Sequence, residues 1–555
     1  MEIRLETVVN ACGRNESWLR GNHSVQTPNS ETGSCGVSRQ RFTIRLISFV
    51  ILASGVALLS GTAFAQQGSS ESSSLPKAQQ VTPSGRAPSG GDVQAAQSSD
   101  GNGGSSSVNT VNSTIQVTGP YQGSIPDPSA PHGPLTLNIA DAIGRGLRFN
   151  LGSVSANSSV KQLRGERLAA LSQLLPNIYA TVSEAGAKID LATQGLSAGT
   201  FGSVALPTTV GPFHYYSALA NVSESVSITG LHNLRQAQAS ADAAQMSAED
   251  ARELITLAVS GTYLRILATK ANVVSQEAQV KQAQVTFRQS ENRYLAGTKP
   301  VIDRNRSFVE FHTQEQRLTS LRGDLLKQTM QLARLIGLPV GQVLTLSEDL
   351  PAHVSEALSL EDAVKLALAE RSDLKAARLQ WKAASEAHRA SKAEYLPALG
   401  ITGDYGLEGV NPNKGVTVFQ ASGTITIPIF QSGRVRADVE QADAALDQRR
   451  AEYADEQGVV ELDVRQAYVD FQVATEQIAV AQENRRVAAE TLTESLDRFA
   501  AGVADSVEVV QSQETVASAE RDYVSSLFSL NLSRISLARA TGQAEKFIPN
   551  MLKGN

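Results

Sequence analysis

The sequence predicts a mainly helical chain with an internal two-fold repeat. Each unit has two short strands, a very long helix, a tight turn and a second long helix. Duplication is the first sign: Arg293-Tyr294-Leu295-Ala296-Gly297 returns 205 residues later as Arg498-Phe499-Ala500-Ala501-Gly502. At the same shift Asp303 becomes Glu508, and Leu332–Gly337 becomes Leu537–Gly542. Upstream, Leu175-Pro176 answers Leu396-Pro397, and Ile228 with Arg235 answers Ile427 with Arg434. An echo this long means one structural unit used twice. The second sign is a switch between period two and heptad spacing inside each unit, and the third is a helical run with no proline over 433–499.

The elements follow in chain order. Residues 1–65 read as an extended signal-peptide region: Arg39, Arg41 and Arg45 precede an apolar run from Leu46 to Leu59, then Ala63-Phe64-Ala65. A basic segment, a short apolar core and an A-x-A site describe a secretory signal cut after Ala65. The polar stretch before it is unusual for a signal, so initiation is expected nearer Val37. Both cysteines, Cys12 and Cys35, precede the expected cut, which leaves no disulfide and no lipid-anchoring thiol. Residues 66–134 are rich in Ser, Gly and Pro and are expected to be disordered, because they lack apolar surface to offset their ordering entropy. The net charge of -6 is mild for 555 residues and argues against a nucleic-acid partner.

Repeat 1 is placed at 135–337, a linker at 338–357, repeat 2 at 358–542 and a carboxy-terminal tail at 543–555. Each repeat opens with a helix, Leu137 to about Leu174 and Leu360 to about Tyr395. Ser359 caps the second, whose first turn carries Glu361 and Asp362. Leu-Pro then stops each helix, since proline disfavours helical geometry in the residue before it. In Ala398–Leu407, Leu399, Ile401, Tyr405 and Leu407 alternate with Gly400, Thr402, Asp404 and Gly406. In Val416–Phe430, Phe419, Ala421, Ile425, Ile427 and Ile429 alternate with polar residues. Alternation of this kind predicts strands with one apolar face, joined by the turn Asn411–Gly415. Repeat 1 does the same through Ile178, Ala180 and Val182, then Val222, Val226 and Ile228.

Helix then resumes from Gly433 to Phe499, about 100 Å at 1.5 Å per residue. Val464, Tyr468, Phe471, Thr475 and Ile478 step by four and three, a heptad seam. After Gly502, the residues Val509, Val516, Tyr523, Leu530 and Leu537 fall seven apart, and four of the five positions shifted back by 205 are Phe311, Leu318, Leu325 and Leu332. Coiled-coil packing is therefore expected along the whole rod. Rods this long with few large apolar residues require neighbouring helices. Four strands leave open edges, and a single-chain closed barrel needs about eight. Both deficits predict oligomerisation around a common axis.

Ile427-Pro428-Ile429-Phe430-Gln431-Ser432-Gly433-Arg434 resembles the strand-to-helix junction of the outer-membrane efflux protein (TolC) family. So do the paired R-[YF]-x-x-G turns, each with an acidic residue six positions later; the resemblance covers roughly 135–542. It implies a homotrimer in which each protomer gives four strands to one 12-stranded outer-membrane β-barrel in contact with lipid, above a coiled-coil helical tunnel in the periplasm. It also implies a passive exit duct that docks on a periplasmic adaptor (membrane fusion) protein and an inner-membrane pump, with no cofactor. By the same resemblance Pro428, Gly433 and Arg434 form the strand-to-helix junction. The turns at Arg293, Tyr294 and Gly297 and at Arg498, Phe499 and Gly502 become the adaptor-docking tips. Asp303, Glu508 and Gln511 lie at the periplasmic gate. Some family members carry two acidic rings there; Gln511 replaces the second. The family's tip tyrosine is Phe499 here and its arginine is Ala504, so any clasp holding the gate must differ. Repeat 1 lacks the P-x-F-x-x-G pattern at Thr229–Arg235.

Plainer readings exist for several of these residues. Asp505-Ser506-Val507-Glu508 fits a helix-capping box, Gly297 and Gly502 suit helix ends, and Arg293 and Arg498 complement a helix carboxyl end. Tyr405 and Phe419 suit a lipid boundary. An enzyme is not expected. Gly195-Leu196-Ser197-Ala198-Gly199 matches G-x-S-x-G without the strand and helix that a nucleophile elbow needs. His132, His214, His232, His312, His353 and His388 never fall at metal-ligand spacing. Two rival readings remain: a soluble periplasmic coiled-coil adaptor and a structural protein. Neither accounts for a strand pair before each rod.

Overall fold

The computed structural model describes residues 92–98, 112–130, 133–194, 207–352 and 358–551. The expected signal region, the G-x-S-x-G stretch and His132 and His353 lie outside these. The first described elements are the two strands β1 (Val93–Ser98) and β2 (Asn112–Val117), paired antiparallel as a hairpin from Val93↔Val117 to Ser98↔Asn112. At 92–98 and 112–130 this corrects the expectation of disorder; 66–91 and 99–111 lie outside the described residues. Val93 is buried, Ala95, Ile115 and Val117 pack on the same core, and Ile115 lies directly over Gly261. Local composition misses this because the hairpin's apolar partners lie far along the chain.

Repeat 1 then runs β3 (Leu135–Leu137), α1 (Ile139–Phe149), α2 (Leu151–Ser172), β4 (Asn177–Asp190), β5 (Thr209–Val226), α3 (Ile228–Leu295) and α4 (Val301–Leu335). Repeat 2 follows in the same order: β6 (Leu344–Leu346), α5 (Leu360–Glu370), α6 (Ser372–Ala393), β7 (Ala398–Gly409), β8 (Val416–Thr426), α7 (Arg434–Ala500) and α8 (Ser506–Ala540). A last described helix, α9 (Ala544–Met551), buries Ala544 and Ile548 in the core, so 544–551 is more than a tail. The short strands β3 and β6 pair in parallel, which places part of the expected linker in the fold.

Each opening helix is broken where one continuous helix was expected. Asn150 adopts extended geometry between α1 and α2; its Oδ1 accepts from the Gly152 amide at 2.9 Å and its Nδ2 donates to the Tyr121 carbonyl at 2.8 Å. Arg371 makes the matching break between α5 and α6. It is 4% exposed and bonds Asp373 and Asp463. A buried side chain with long-range partners outweighs local helix preference at both points. Ser359 caps α5 as expected, its Oγ accepting from the Asp362 amide at 3.2 Å.

The four long strands form one antiparallel sheet in the order β4-β5-β7-β8. Its register gathers the alternating apolar residues of both repeats on one face. Val182↔Ala218↔Leu407, Ala180↔Ala220↔Tyr405↔Phe419 and Ile178↔Val222 lie in successive rows. That face is open: Ile178, Val182 and Phe419 are 69%, 71% and 80% exposed. The opposite face carries paired polar side chains. Ser183 bonds Ser217 at 2.9 Å, and the Asn221 amide donates to Thr181 at 2.6 Å. β8 ends at Thr426, short of the expected Phe430, because the chain must bend: Ser432 and Gly433 have φ of 49° and 84°. Glycine suits this left-handed position. Arg434 then ties the start of α7 to Glu394 at 2.8 Å and to Asp438 at 3.0 Å. At the corresponding place Ser227 simply caps α3, its Oγ accepting from the Gly230 amide at 3.0 Å.

α3 and α7 have 68 and 67 residues, about 100 Å each. Towards the sheet the helices pack in the order α2-α3-α6-α7, and towards the turns α4-α3-α8-α7. Phe471, Ala474 and Ile478 bury against Leu527 and Leu530, with Tyr523 and Leu537 at the margin, which is the expected seam. The main core gathers α1, the middle of α3, the end of α4, and α8 and α9 around Tyr263, Leu264, Leu332 and Ile535. On α7, Leu462, Val469, Val473, Val480 and Val487 remain exposed. Burying such side chains is worth about 1.5–3 kcal/mol each, so this face and the sheet face are both incomplete in one copy.

Candidate functional site at the helical turns

The two duplicated turns close α3 onto α4 and α7 onto α8 with the same geometry. Gly297 has φ 71° and Gly502 φ 79°. Thr298 N donates to Arg293 O at 3.0 Å and Val503 N to Arg498 O at 3.1 Å; Gly297 N reaches Tyr294 O at 2.9 Å and Gly502 N reaches Phe499 O at 3.1 Å. This is the Schellman ending, which needs a left-handed residue after the helix and accounts for both glycines. Just above each turn a buried serine pair bridges the hairpin: Ser290 with Ser307 at 3.0 Å and Ser495 with Ser512 at 2.8 Å. The pairs obey the same 205-residue shift. The sequence carries that signal, but a heptad search reads only apolar residues.

Side chains then join the two hairpins. The Arg293 guanidinium lies 4.2 Å from the Phe499 ring centre and donates to the Phe499 carbonyl at 3.2 Å. It therefore complements the carboxyl end of α7 and not of its own helix. Asp303 accepts from Ser506 Oγ at 2.9 Å. Phe499 is 3% exposed and packs with Ala504, Val509 and Leu496. The two positions that depart from the family pattern thus fit one another: the phenyl ring fills space that a small Ala504 leaves. Ser506 was not singled out from the sequence, because its partner lies on the other hairpin.

Glu508 and Gln511 meet different neighbours. Asp505 caps α8, its carboxylate accepting from the Val507 and Glu508 amides at 3.1 Å each, so the capping reading holds for Asp505. The Glu508 side chain meets Arg498 at 3.3 Å. Gln511 is exposed and lines a groove of ≈ 610 Å³ between α4 and α8, beside Ile302, Arg306, Val510 and Glu514. Tyr294, Leu295, Val301, Ile302, Val503 and Val507 form an exposed apolar surface at the turns. Pro428, Gly433 and Arg434 lie at the opposite end of α7, beside the sheet.

Residues 363–543 match the family described as outer membrane efflux protein. The pyoverdine export outer membrane protein OpmQ of Pseudomonas putida is 27% identical over 301 residues, covering 50% of this chain and 63% of that protein. The match therefore spans less than two thirds of the relative's length. Among solved structures, the Vibrio cholerae outer membrane protein VceC aligns with TM-score 0.62 at 18% identity, covering 73% of this chain and 96% of that one. The Campylobacter jejuni CmeC outer membrane channel aligns with TM-score 0.61 at 16% identity, covering 73% and 86%. At such identities these two show a shared fold. With the sheet, the paired rods and the duplicated turns in place, the matched sequence and the shared fold agree: residues 363–543 are similar to the outer membrane efflux protein family, and the chain shares the fold of solved outer membrane channels.

Proposed function

We propose that this protein is a trimeric outer-membrane channel-tunnel, the passive exit duct of a tripartite efflux or type I secretion system. One observation carries the reading: the sheet gathers Ile178, Val182, Tyr405, Leu407 and Phe419 on one open face and sets the polar pairs Ser183–Ser217 and Thr181–Asn221 on the other. Such a sheet suits a wall between lipid and water, and closure with further copies removes its free edges at β4 and β8. The exposed apolar stripe on α7 supports the same closure at the level of the rods.

The residues divide the work by position. The α3–α4 and α7–α8 hairpins end the tunnel, and the gate lies between them. Arg293–Phe499 and Asp303–Ser506 hold the two hairpins of one protomer together in place of the family's tyrosine and arginine. Opening separates them when a periplasmic adaptor docks on the turns at Gly297 and Gly502. Three copies of Glu508 near the axis favour cations, though pairing with Arg498 tempers the ring and Gln511 adds no second one. The pump selects and drives the cargo; the P. putida relative's name favours a small secreted molecule over a folded protein.

Cell fractionation tests the duct directly. Heat-modifiable, detergent-resistant trimers in the outer-membrane fraction are expected, and recovery mainly in the soluble periplasm would sink the reading in favour of an adaptor. In planar bilayers Glu508→Ala should lower cation selectivity and cation block. Unchanged selectivity and block would remove Glu508 from the constriction.

A further inference from the structure

The helix α6 presents an unusual charge pattern away from the gate. Lys375, Arg378, Lys382 and Arg389 follow one another at intervals of three, four and seven residues, which puts all four cations on one helix face. They line a groove of ≈ 600 Å³ together with Trp381 on the same helix and Met246 of α3. Two of the cations are matched: Lys375 by Glu370 at 3.4 Å and Arg389 by Glu386 at 2.7 Å. Glu386 also holds His232 at 2.8 Å, so the one carboxylate lining the groove is committed. Arg378 and Lys382 make no ion pair among the described residues and both are exposed. Between them Trp381 is held flat by stacking on Tyr453 of α7, with ring centres 5.8 Å apart and planes 12° apart.

The duplication supplies an internal control. α2 and α6 have the same length and occupy the same place in their repeats. The α2 residues corresponding to Lys375, Arg378, Lys382 and Arg389 are Val154, Asn157, Lys161 and Leu168, and Val160 answers Trp381. A helix in this role thus needs neither the cation row nor the indole for packing. The groove is also internal to one protomer. α6 packs between α3 and α7 of its own chain, so one chain supplies the whole lining.

We infer that the α3–α6 groove is a binding site for a planar organic anion carrying two or more acidic groups. Arg378 and Lys382 take the charges and the Trp381 face takes the ring. Their axial separation, about 6 Å for four residues, suits two acidic substituents on one aromatic system. The guanidinium can hold a carboxylate, sulfonate or phosphate through two parallel hydrogen bonds, and the fixed indole supplies stacking area without a new ordering cost.

Tryptophan emission reads the site directly. The chain has two tryptophans, Trp18 and Trp381; Trp18 lies in the expected signal region, which makes Trp381 the sole reporter in the exported protein. Titration of the detergent-solubilised exported protein with pyranine, a planar trisulfonate, should quench that emission saturably, one molecule per protomer. In Arg378→Gln/Lys382→Gln the midpoint should weaken by about tenfold or more, the loss of one to two charge-assisted contacts. Lys161→Gln on α2 should leave it unchanged. Uncharged 1-hydroxypyrene should not saturate the site. Linear quenching without saturation, an unchanged midpoint in the double variant, or equal binding of 1-hydroxypyrene would each overturn the inference. Lys382→Gln alone, at an exposed position, provides the same comparison if the double variant fails to fold.

Discussion

Replacing Arg293 by glutamine removes the guanidinium from the Phe499 ring while keeping a polar side chain of similar reach. The structure sets the size of the loss. A cation–π contact at 4.2 Å on a half-buried arginine contributes about 0.5–1 kcal/mol. The charged bond to the Phe499 carbonyl at 3.2 Å adds about 1.5 kcal/mol, the lower end for charged donors because the site is partly wet. The two hairpins should therefore lose about 2 kcal/mol of attraction per protomer, close to a thirtyfold shift in the balance between joined and parted states. Single-channel recording in planar bilayers measures this as open probability, with thermal unfolding as the check that the fold is intact. Arg293→Gln should open more often, and Phe499→Leu should do the same. The double variant should gain little beyond Arg293→Gln, because the ring contact that Phe499→Leu removes is already lost in Arg293→Gln. Open probability equal to wild type in Arg293→Gln would refute the clasp. So would additivity of the two changes within about 0.3–0.5 kcal/mol.

Two further predictions concern stability. A side chain at Gly261 would meet Ile115 Cδ1 at 2.2 Å, so Gly261→Val should push the β1–β2 hairpin off α3 at a cost of about 1–3 kcal/mol; limited proteolysis within 92–118 should become faster while the long helices keep their ellipticity. At Asp373, burial raises the carboxyl pKa, but the bond and charge of Arg371 outweigh it and hold the group below the ordinary aspartate value. Its stabilising contribution is thus complete above the unfolded pKa near 4 and is lost as pH falls through the lower folded value. Asp373→Asn should cost about 2–3 kcal/mol at pH 7, and the Tm difference from wild type should shrink below about pH 4.

The rods were readable because a heptad is a local signal: Phe471, Ile478, Leu530 and their neighbours repeat within one helix, and the partner helix is only a turn away. The strands were equally legible, since alternation assigned Tyr405 and Phe419 to the apolar face on which they lie opposite one another. Breaks in α1–α2 and α5–α6 were not legible. Asn150 and Arg371 look like ordinary helix residues until Tyr121 and Asp463 are brought to them. The same is true of the β1–β2 hairpin, whose few apolar residues become useful only on the surface of α3 and α8. At the turns, both glycines and their flanking residues were found from the echo, but the pairing of Arg293 with Phe499 and of Asp303 with Ser506 crosses about 200 residues of chain.

The sequence by itself determined the duplication, the period of every long element and the need for neighbours, because periodicity, turn chemistry and apolar content act over a few residues. Only the tertiary structure decided which copies of the repeat touch and through which atoms. It turned two departures, Phe499 and Ala504, into one packed knot, gave Arg293 to the opposite hairpin, and set Glu508 against Arg498. Those outcomes depend on helix rotation and on approach distances of a few ångströms, and no spacing along the chain encodes them.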